Sequence, residues 1–101
     1  MRIMLFFDLP MLTHKDLVEY RKFRKFLIKN GFIMHQESIY TKLVINRNSL
    51  DLAKNKVYLN LPQKGDVQMM IVTENQFAGI EYLCDKPSKK VVDSTDRVVY
   101  L

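Results

Sequence analysis

The chain lacks four features, and their absence narrows the range of functions it could have. It has one cysteine in 101 residues, Cys84, which excludes an internal disulfide and a zinc site built from several thiolates. Its longest uninterrupted apolar run, Ile3 to Phe7, is too short for a transmembrane helix or a signal peptide. A glycine-rich phosphate loop and a seryl or cysteinyl nucleophile motif are also absent, since the glycines are scattered at Gly31, Gly65 and Gly79. We therefore expect a cytoplasmic protein that does not associate with membranes.

The composition is that of a small globular protein with an excess of basic residues. Hydrophobic residues make up 48% of the chain, which argues against disorder. Sixteen Lys and Arg residues against eleven Asp and Glu residues give a net charge of +5. This balance favours an anionic partner such as a nucleic acid, although a mild basic excess is common in proteins that bind none. The length predicts a single domain spanning 1–101.

Local patterning predicts alternating strands and helices. Residues 1–8 carry apolar side chains at odd and even positions, which is typical of a central strand covered on both faces. Thr13 with Asp16 resembles the capping box that begins a helix, and Asn30-Gly31 is typical of a helix end. Two short strands are predicted next, within 32–45, and then a second helix that is capped by Asn46 or Asn48 and ended by Pro62. The last predicted elements are a strand over 67–73, a turn and then a strand within 77–83, and a final strand over 97–101.

This order of elements predicts an α+β class. The specific expectation is a ferredoxin-like βαββαβ fold, with an antiparallel sheet, both helices on one face and an additional C-terminal strand. Enzymes, RNA-binding modules and regulatory domains all use this fold, so the function has to be argued from particular residues.

The first predicted helix is amphipathic and carries most of the net charge. Its apolar arc is predicted to hold Leu17, Tyr20, Phe23, Leu27 and Ile28, with Arg24 inside the arc and Phe26 outside it. Against two carboxylates, Asp16 and Glu19, this helix has six cations, a local charge of +4: Lys15, Arg21, Lys22, Arg24, Lys25 and Lys29. Charge concentrated on one element favours phosphate binding, but an amphipathic helix also needs a solvated face and lysine commonly fills it. Both interpretations stay open.

Asp8 is the strongest candidate for chemistry. It directly follows the first apolar strand and lies two residues before Pro10, so its carboxylate is expected at the strand's C-terminal end. Mg²⁺ needs few protein oxygens, and one carboxylate from each subunit of a dimer could hold it at a two-fold axis. Alternatively, Asp8 simply caps a turn.

Three separated segments together resemble a known family. They are Phe7-Asp8-Leu9-Pro10, the segment Gly31-Phe-Ile-Met-His-Gln-Glu-Ser-Ile-Tyr40, and Gly65-Asp-Val-Gln-Met-Met70. The sequence of the first predicted helix, Tyr20-Arg-Lys-Phe-Arg-Lys-Phe-Leu27, also matches. The combination resembles the small CRISPR-associated endoribonuclease family, the second of the two core spacer-acquisition proteins. It is most similar to the versions found in type II systems.

The resemblance implies a ferredoxin-like homodimer in which strand 97–101 crosses to the partner subunit's sheet. It assigns the family's metal-binding and catalytic aspartate to Asp8, with Mg²⁺ as the cofactor. It also implies that the dimer bridges CRISPR integrase subunits and supports a double-stranded DNA pre-spacer. Phe7 replaces a tyrosine and Met34 replaces an arginine found in many members. These two changes remove a hydroxyl and a cation from the site, so any nuclease activity is expected to be weak.

Three functional hypotheses follow. The first is a DNA-binding scaffold for spacer acquisition. The second is a metal-dependent endoribonuclease of the toxin-like type, centred on Asp8 from both subunits. The third is a regulatory domain that binds a small metabolite, which the clustered cations and the lack of a glycine-rich ligand loop disfavour.

Overall fold

The computed structural model describes residues 1–84, which form an antiparallel four-stranded sheet and three helices. Along the chain the elements are β1 (Arg2–Asp8), α1 (His14–Lys29), β2 (Ile33–Gln36), β3 (Ile39–Leu43), α2 (Arg47–Leu59), β4 (Asp66–Val72) and α3 (Glu74–Ala78). The strand order is β2-β3-β1-β4, and the predicted ferredoxin-like βαββαβ arrangement is confirmed. The predicted strand at 97–101 lies outside the described residues.

β1 is a central strand and its alternate residues separate the two faces of the sheet. Ile3, Leu5 and Phe7 are buried in the main core, which they share with side chains from α1 and α2. Because successive side chains point to opposite faces, Arg2, Met4, Phe6 and Asp8 lie on the other face. We call this second face, on which α1 and α2 do not pack, the open face. The core face holds an aromatic cluster in which Phe7 contacts Tyr20, Phe23 and Tyr40.

α1 begins and ends as the sequence predicts. The Thr13 side chain accepts a hydrogen bond from the Asp16 backbone, and the Asp16 carboxylate accepts one from the Thr13 backbone, which completes a capping box. These hydrogen bonds with Thr13 lower the pKa of Asp16. After the helix, Gly31 adopts a φ of 88°, a left-handed conformation that favours glycine.

The predicted apolar arc of α1 needs correction at its edges. Phe23 and Leu27 are buried, but Ile28 is half exposed, whereas Phe26 packs against the core. The helix is therefore rotated relative to the predicted arc, with its inward face centred between Phe23 and Leu27. At about 100° per residue, Phe26 is nearer to that centre than Ile28. Arg24 lies at the side of the helix and is exposed.

α2 confirms the first of the two predicted caps. The Asn46 side chain accepts from the Ser49 backbone, and Leu50, Ala53 and Val57 face the core. The helix ends at Leu59. Pro62, which cannot donate a backbone hydrogen bond, lies just beyond that end.

The strand predicted within 77–83 is wrong. The structure has α3 from Glu74 to Ala78 instead, and no strand within 77–83. The reason is a second capping box, in which Thr73 and Gln76 exchange side-chain-to-backbone hydrogen bonds and begin a helix directly after β4.

Arg2 fixes α3 against the open face of the sheet. Its guanidinium donates two hydrogen bonds of 2.9 Å to Glu74 and lies 4.1 Å from the centre of the Phe77 ring. The Phe77 ring in turn meets His35 of β2, with 5.5 Å between ring centres. Residues of α3 thus contact both the central strand and the β2 edge strand.

Candidate nucleic-acid interface and metal site

Asp8 ends β1 on the open face, as the sequence predicts for the strand's C-terminal end. The structure adds a second carboxylate, because Asp8 and Asp66 are direct register partners across the antiparallel β1–β4 pair. Directly opposite residues in such a pair have Cα atoms about 4.5–5.5 Å apart and side chains on the same face. Both residues are exposed.

The turn before β4 sets this pairing. Gly65 has a φ of 95°, and a Cβ added there would lie 2.7 Å from the Asp8 carbonyl oxygen. The chain can therefore approach the end of β1 this closely only with glycine at that position. Asp66 follows immediately and begins β4 opposite Asp8.

A shallow depression surrounds the two carboxylates. It has a volume of about 330 Å³ and is also lined by Phe6, Ser38 and Gln68. Ser38 is held beside β1 because its carbonyl oxygen accepts a hydrogen bond from the Phe7 backbone, at 3.0 Å. The depression is therefore polar at its rim and lies where β1, β4 and the β2–β3 turn meet.

The donor set in this depression fits a hard divalent cation. Mg²⁺ is commonly held by one or two carboxylates and retains several waters, and Asp8 with Asp66 supplies two carboxylates per chain. Within residues 1–84, no group of three or more Asp, Glu, His or Cys side chains forms a more complete metal cage. Asp8 and Asp66 are therefore the residues that would hold Mg²⁺, which would polarise a phosphodiester or activate water when bound.

All six cations predicted to bind nucleic acid are exposed on α1. At about 100° per residue they occupy roughly half of the helix circumference, on the side turned away from the sheet. Lys15 and Lys29 mark the ends of the cluster and lie about 21 Å apart along the helix axis. Each DNA strand has one phosphate about every 3.4 Å of duplex axis, so this length equals the axial rise of about six base pairs. We call this surface of Lys15, Arg21, Lys22, Arg24, Lys25 and Lys29 the basic face.

The basic face lies on the core side of the sheet and Asp8 on the open side, and only the N-terminal member, Lys15, lines a cavity with Leu9, the residue after Asp8, among the described residues. α1 packs its Phe23 and Leu27 side on the core face of the sheet, whereas Asp8 points to the open face. The helix is about 10–12 Å across with its side chains, so helix and sheet together separate the basic face from the carboxylates. The structure thus does not bring the two predicted sites of one chain together.

Among the described residues, Arg24 is the one member of the basic face whose side chain is hydrogen-bonded to a neighbouring element. Its Nε donates a 2.8 Å hydrogen bond to the hydroxyl of Tyr40 on β3. This bond raises the pKa of Arg24, with smaller contributions from Tyr20 and Glu37. Burial raises the pKa of Tyr20 in the same cluster. Sequence patterning gave no signal for the Arg24–Tyr40 contact, since the two residues are brought together by the packing of α1 on β3.

The fold and these surfaces define a class: a small ferredoxin-like protein with a carboxylate at the end of its first strand and a basic first helix. Comparison with known proteins is more specific. Residues 1–80 match the family model of CRISPR associated protein Cas2. The CRISPR-associated endoribonuclease Cas2 of Ligilactobacillus salivarius (strain UCC118) is 43% identical over 101 residues, covering all of both chains. That of Streptococcus mutans serotype c (strain ATCC 700610 / UA159) is 42% identical over 101 residues, covering all of this chain and 93% of the relative.

A solved structure agrees with the fold. The crystal structure of Streptococcus pyogenes Cas2 at pH 6.5 superposes with a TM-score of 0.62 and 16% sequence identity, covering 81% of this chain and 98% of that one. The chain belongs to the CRISPR-associated Cas2 family. Among residues 1–84, the structure has no helix with the length and apolar character needed to cross a membrane.

Proposed function

We propose that the chain acts in CRISPR spacer acquisition as a homodimeric scaffold that binds double-stranded DNA and bridges integrase subunits. The observation that carries this proposal is the basic face, where six exposed cations share the outer side of one helix. Its length along α1 equals the axial rise of about six base pairs of duplex. Cations that contact phosphates position a protein on a duplex without reading its bases, which suits a scaffold that must accept any spacer sequence.

The separation of the two sites also supports a scaffold. A duplex lying along the basic face of one subunit is kept from Asp8 of that subunit by the helix and the sheet. A duplex can therefore bind to α1 without reaching Asp8 and Asp66, so duplex binding does not depend on cleavage there. Membership of the Cas2 family supports the connection to CRISPR systems. The bridging of integrase subunits is a more specific proposal about how the chain acts within such a system.

The homodimer is supported by the apolar character of the open face. Three large apolar side chains on the open face of the sheet stay about half exposed or more: Ile33, Leu43 and Met70. Burying them against a second subunit would remove apolar surface from water, which stabilises a chain of this size that buries little surface alone. A dimer formed through this face, with its two-fold axis near the C-terminal end of β1, would also bring two Asp8–Asp66 pairs close together.

A second candidate function is a metal-dependent endoribonuclease activity, which the paired carboxylates favour. Mg²⁺ held by Asp8 and Asp66 would supply the Lewis acid. Among the described residues that line the depression, Ser38 and Gln68 carry the uncharged polar side chains that could contact a phosphodiester, and none is a cation. Weak turnover is the activity expected from such a site. The relatives are named CRISPR-associated endoribonuclease Cas2, which agrees with this candidate.

The experiment that separates the candidates compares substrates and variants in the same buffer. A 30-base-pair duplex DNA of arbitrary sequence and a single-stranded RNA are tested for binding by fluorescence anisotropy and for cleavage with Mg²⁺. The scaffold function predicts that a second, unrelated duplex binds equally well and that Asp8→Asn leaves duplex binding unchanged. Preferential binding of the RNA, with its cleavage abolished in Asp8→Asn, would replace the scaffold by the endoribonuclease.

A further inference from the structure

Arg24 differs from the other cations of the basic face in how it is held. It lies at the edge of that face, about 100° around the helix from the buried Phe23. Its Nε donates to the Tyr40 hydroxyl at 2.8 Å, whereas none of the other five cations makes a side-chain hydrogen bond within residues 1–84. The described residues also place no carboxylate within 4 Å of its guanidinium.

Tyr40 is a rigid anchor for this contact. It is fully buried in β3, and its ring stacks on Phe7 with 5.6 Å between ring centres. The ring therefore cannot turn away without disturbing the core, and its hydroxyl oxygen keeps a fixed position beside α1. A guanidinium has five N–H donors in one plane, so fixing Nε fixes the orientation of the whole fork.

We infer that Tyr40 is a positioning residue for DNA binding: its buried hydroxyl holds Nε of Arg24 so that the two terminal nitrogens stay free to contact a backbone phosphate. The inference rests on the proposed duplex-binding function and names one contact in it. The terminal edge of a guanidinium matches a phosphate with two parallel hydrogen bonds. The other five cations have no such support within the described residues and must be ordered when the duplex binds.

The energetic reason is preorganisation. A long flexible side chain loses conformational freedom when it is fixed at an interface, and a side chain already fixed in the free protein loses less. Replacing Arg24 with lysine would keep the charge but remove Nε and the planar fork, so the benefit of Tyr40 would be lost. A purely structural role, in which the hydrogen bond only ties α1 to the sheet, predicts an effect on stability and none on affinity.

The test is a double-mutant cycle on duplex affinity, measured well below the melting temperature of every variant. Tyr40→Phe removes only the hydroxyl, and we expect it to weaken binding of a 30-base-pair duplex by about three- to tenfold. In an Arg24→Lys background the same change should have almost no further effect. Tyr58→Phe is the control, because Tyr58 is exposed on α2 and hydrogen-bonds none of the basic-face cations within residues 1–84, and it should bind like the parent.

A second measurement keeps the test valid if a variant is destabilised. The Nε proton of Arg24 should show slow exchange with water in the NMR spectrum of the free parent, and Tyr40→Phe should abolish that protection. Unchanged affinity in a folded Tyr40→Phe variant, or equal losses in the parent and Arg24→Lys backgrounds, would overturn the inference. If changing Arg21, Lys22 and Lys25 to alanine weakens duplex binding in the same assay but Tyr40→Phe does not, only the role of Tyr40 fails. If neither change weakens binding, the proposed function itself fails.

Discussion

Asp8 and Asp66 face each other across β1 and β4, on the side of the sheet that α1 and α2 leave uncovered. Like charges directly opposite in an antiparallel pair repel, and in a solvated position this costs stability. A bound divalent cation would turn the repulsion into attraction to a shared ion. If the pair holds a divalent cation, protein stability should rise with metal concentration.

Neutralising either member of this pair should weaken metal binding. We expect Asp8→Asn and Asp66→Asn each to reduce Mn²⁺ affinity, measured by calorimetry, by about tenfold or more, because half of the paired charge is lost. Without metal, in EDTA, both variants should melt at a slightly higher temperature than the parent. Asp51→Asn, an exposed carboxylate on α2, is the control. Parent-like Mn²⁺ binding by Asp66→Asn would remove Asp66 from the site.

The contact between Arg2 and Glu74 predicts a pH dependence of stability. Hydrogen bonding to Arg2 lowers the pKa of Glu74 below its ordinary value of 4.5. The folded state thus favours the carboxylate, and the stabilisation is present above pH 4.5 and lost as the pH falls below it. The melting temperature of Glu74→Gln should accordingly lie below that of the parent at pH 7, and the difference should shrink as the pH is lowered from 5 to 3. A difference that stays constant over this range would contradict the assignment.

Arg2 should contribute more than Glu74 to the free energy of unfolding. Arg2→Met removes the ion pair and the contact with the Phe77 ring, and we expect a loss of about 1–2 kcal/mol in the free energy of unfolding. Urea denaturation measures this loss. An effect no larger than that of Glu74→Gln would mean that the ring contact contributes nothing.

The observed rotation of α1 can be checked with two neighbouring substitutions. Phe26 packs against the core whereas Ile28 is 51% exposed. Phe26→Ala should therefore lower the free energy of unfolding by about 2 kcal/mol, and Ile28→Ala should change it by no more than about 0.5 kcal/mol. The reverse order in urea denaturation would support the arc predicted from the sequence.

The proposed dimer gives a prediction about the C-terminal residues. Arg97-Val98-Val99-Tyr100-Leu101 is an apolar segment that could pair with the exposed strand edge of a second subunit. Deleting residues 97–101 should shift the protein from dimer toward monomer in analytical ultracentrifugation at micromolar concentration. A shortened chain that remains fully dimeric would exclude this segment from the interface.

Much of the fold could be predicted from the sequence because its signals are local. The capping box at Thr13, the stop at Asn30-Gly31 and the Asn46 cap each act within a few residues, and each has its predicted place in the structure. The missed helix α3 has an equally local signal in Thr73 and Gln76. The sequence instead predicted a strand there, because the apolar residues that follow Gln76 are also compatible with a strand.

The candidate sites were harder to predict because they depend on pairing between distant segments. Asp8 could be identified from its position after an apolar strand, but its partner Asp66 depends on the register of β1 with β4, which is set by a turn 57 residues further on at Gly65. Arg24 was predicted to lie within the apolar arc and also to bind nucleic acid. The hydrogen bond to Tyr40 explains how an exposed guanidinium can have one nitrogen turned toward the core.

The measurement that tests the scaffold most directly is a salt titration of duplex binding. Each phosphate neutralised contributes about −0.9 to the slope of log affinity against log salt concentration. In a dimer, changing Arg21, Lys22 and Lys25 to alanine removes up to six contacts, so the slope should become less steep by several units. The loss of affinity should be equal for unrelated duplex sequences.

The control removes the same charge from another surface. Arg47, Lys54 and Lys56 lie on α2, and changing all three to alanine lowers the net charge equally. With folding and dimer formation verified for both triple variants, the scaffold account predicts a much flatter slope for the α1 variant and a nearly parental slope for the α2 variant. Equal slopes for the parent and the α1 variant would contradict it.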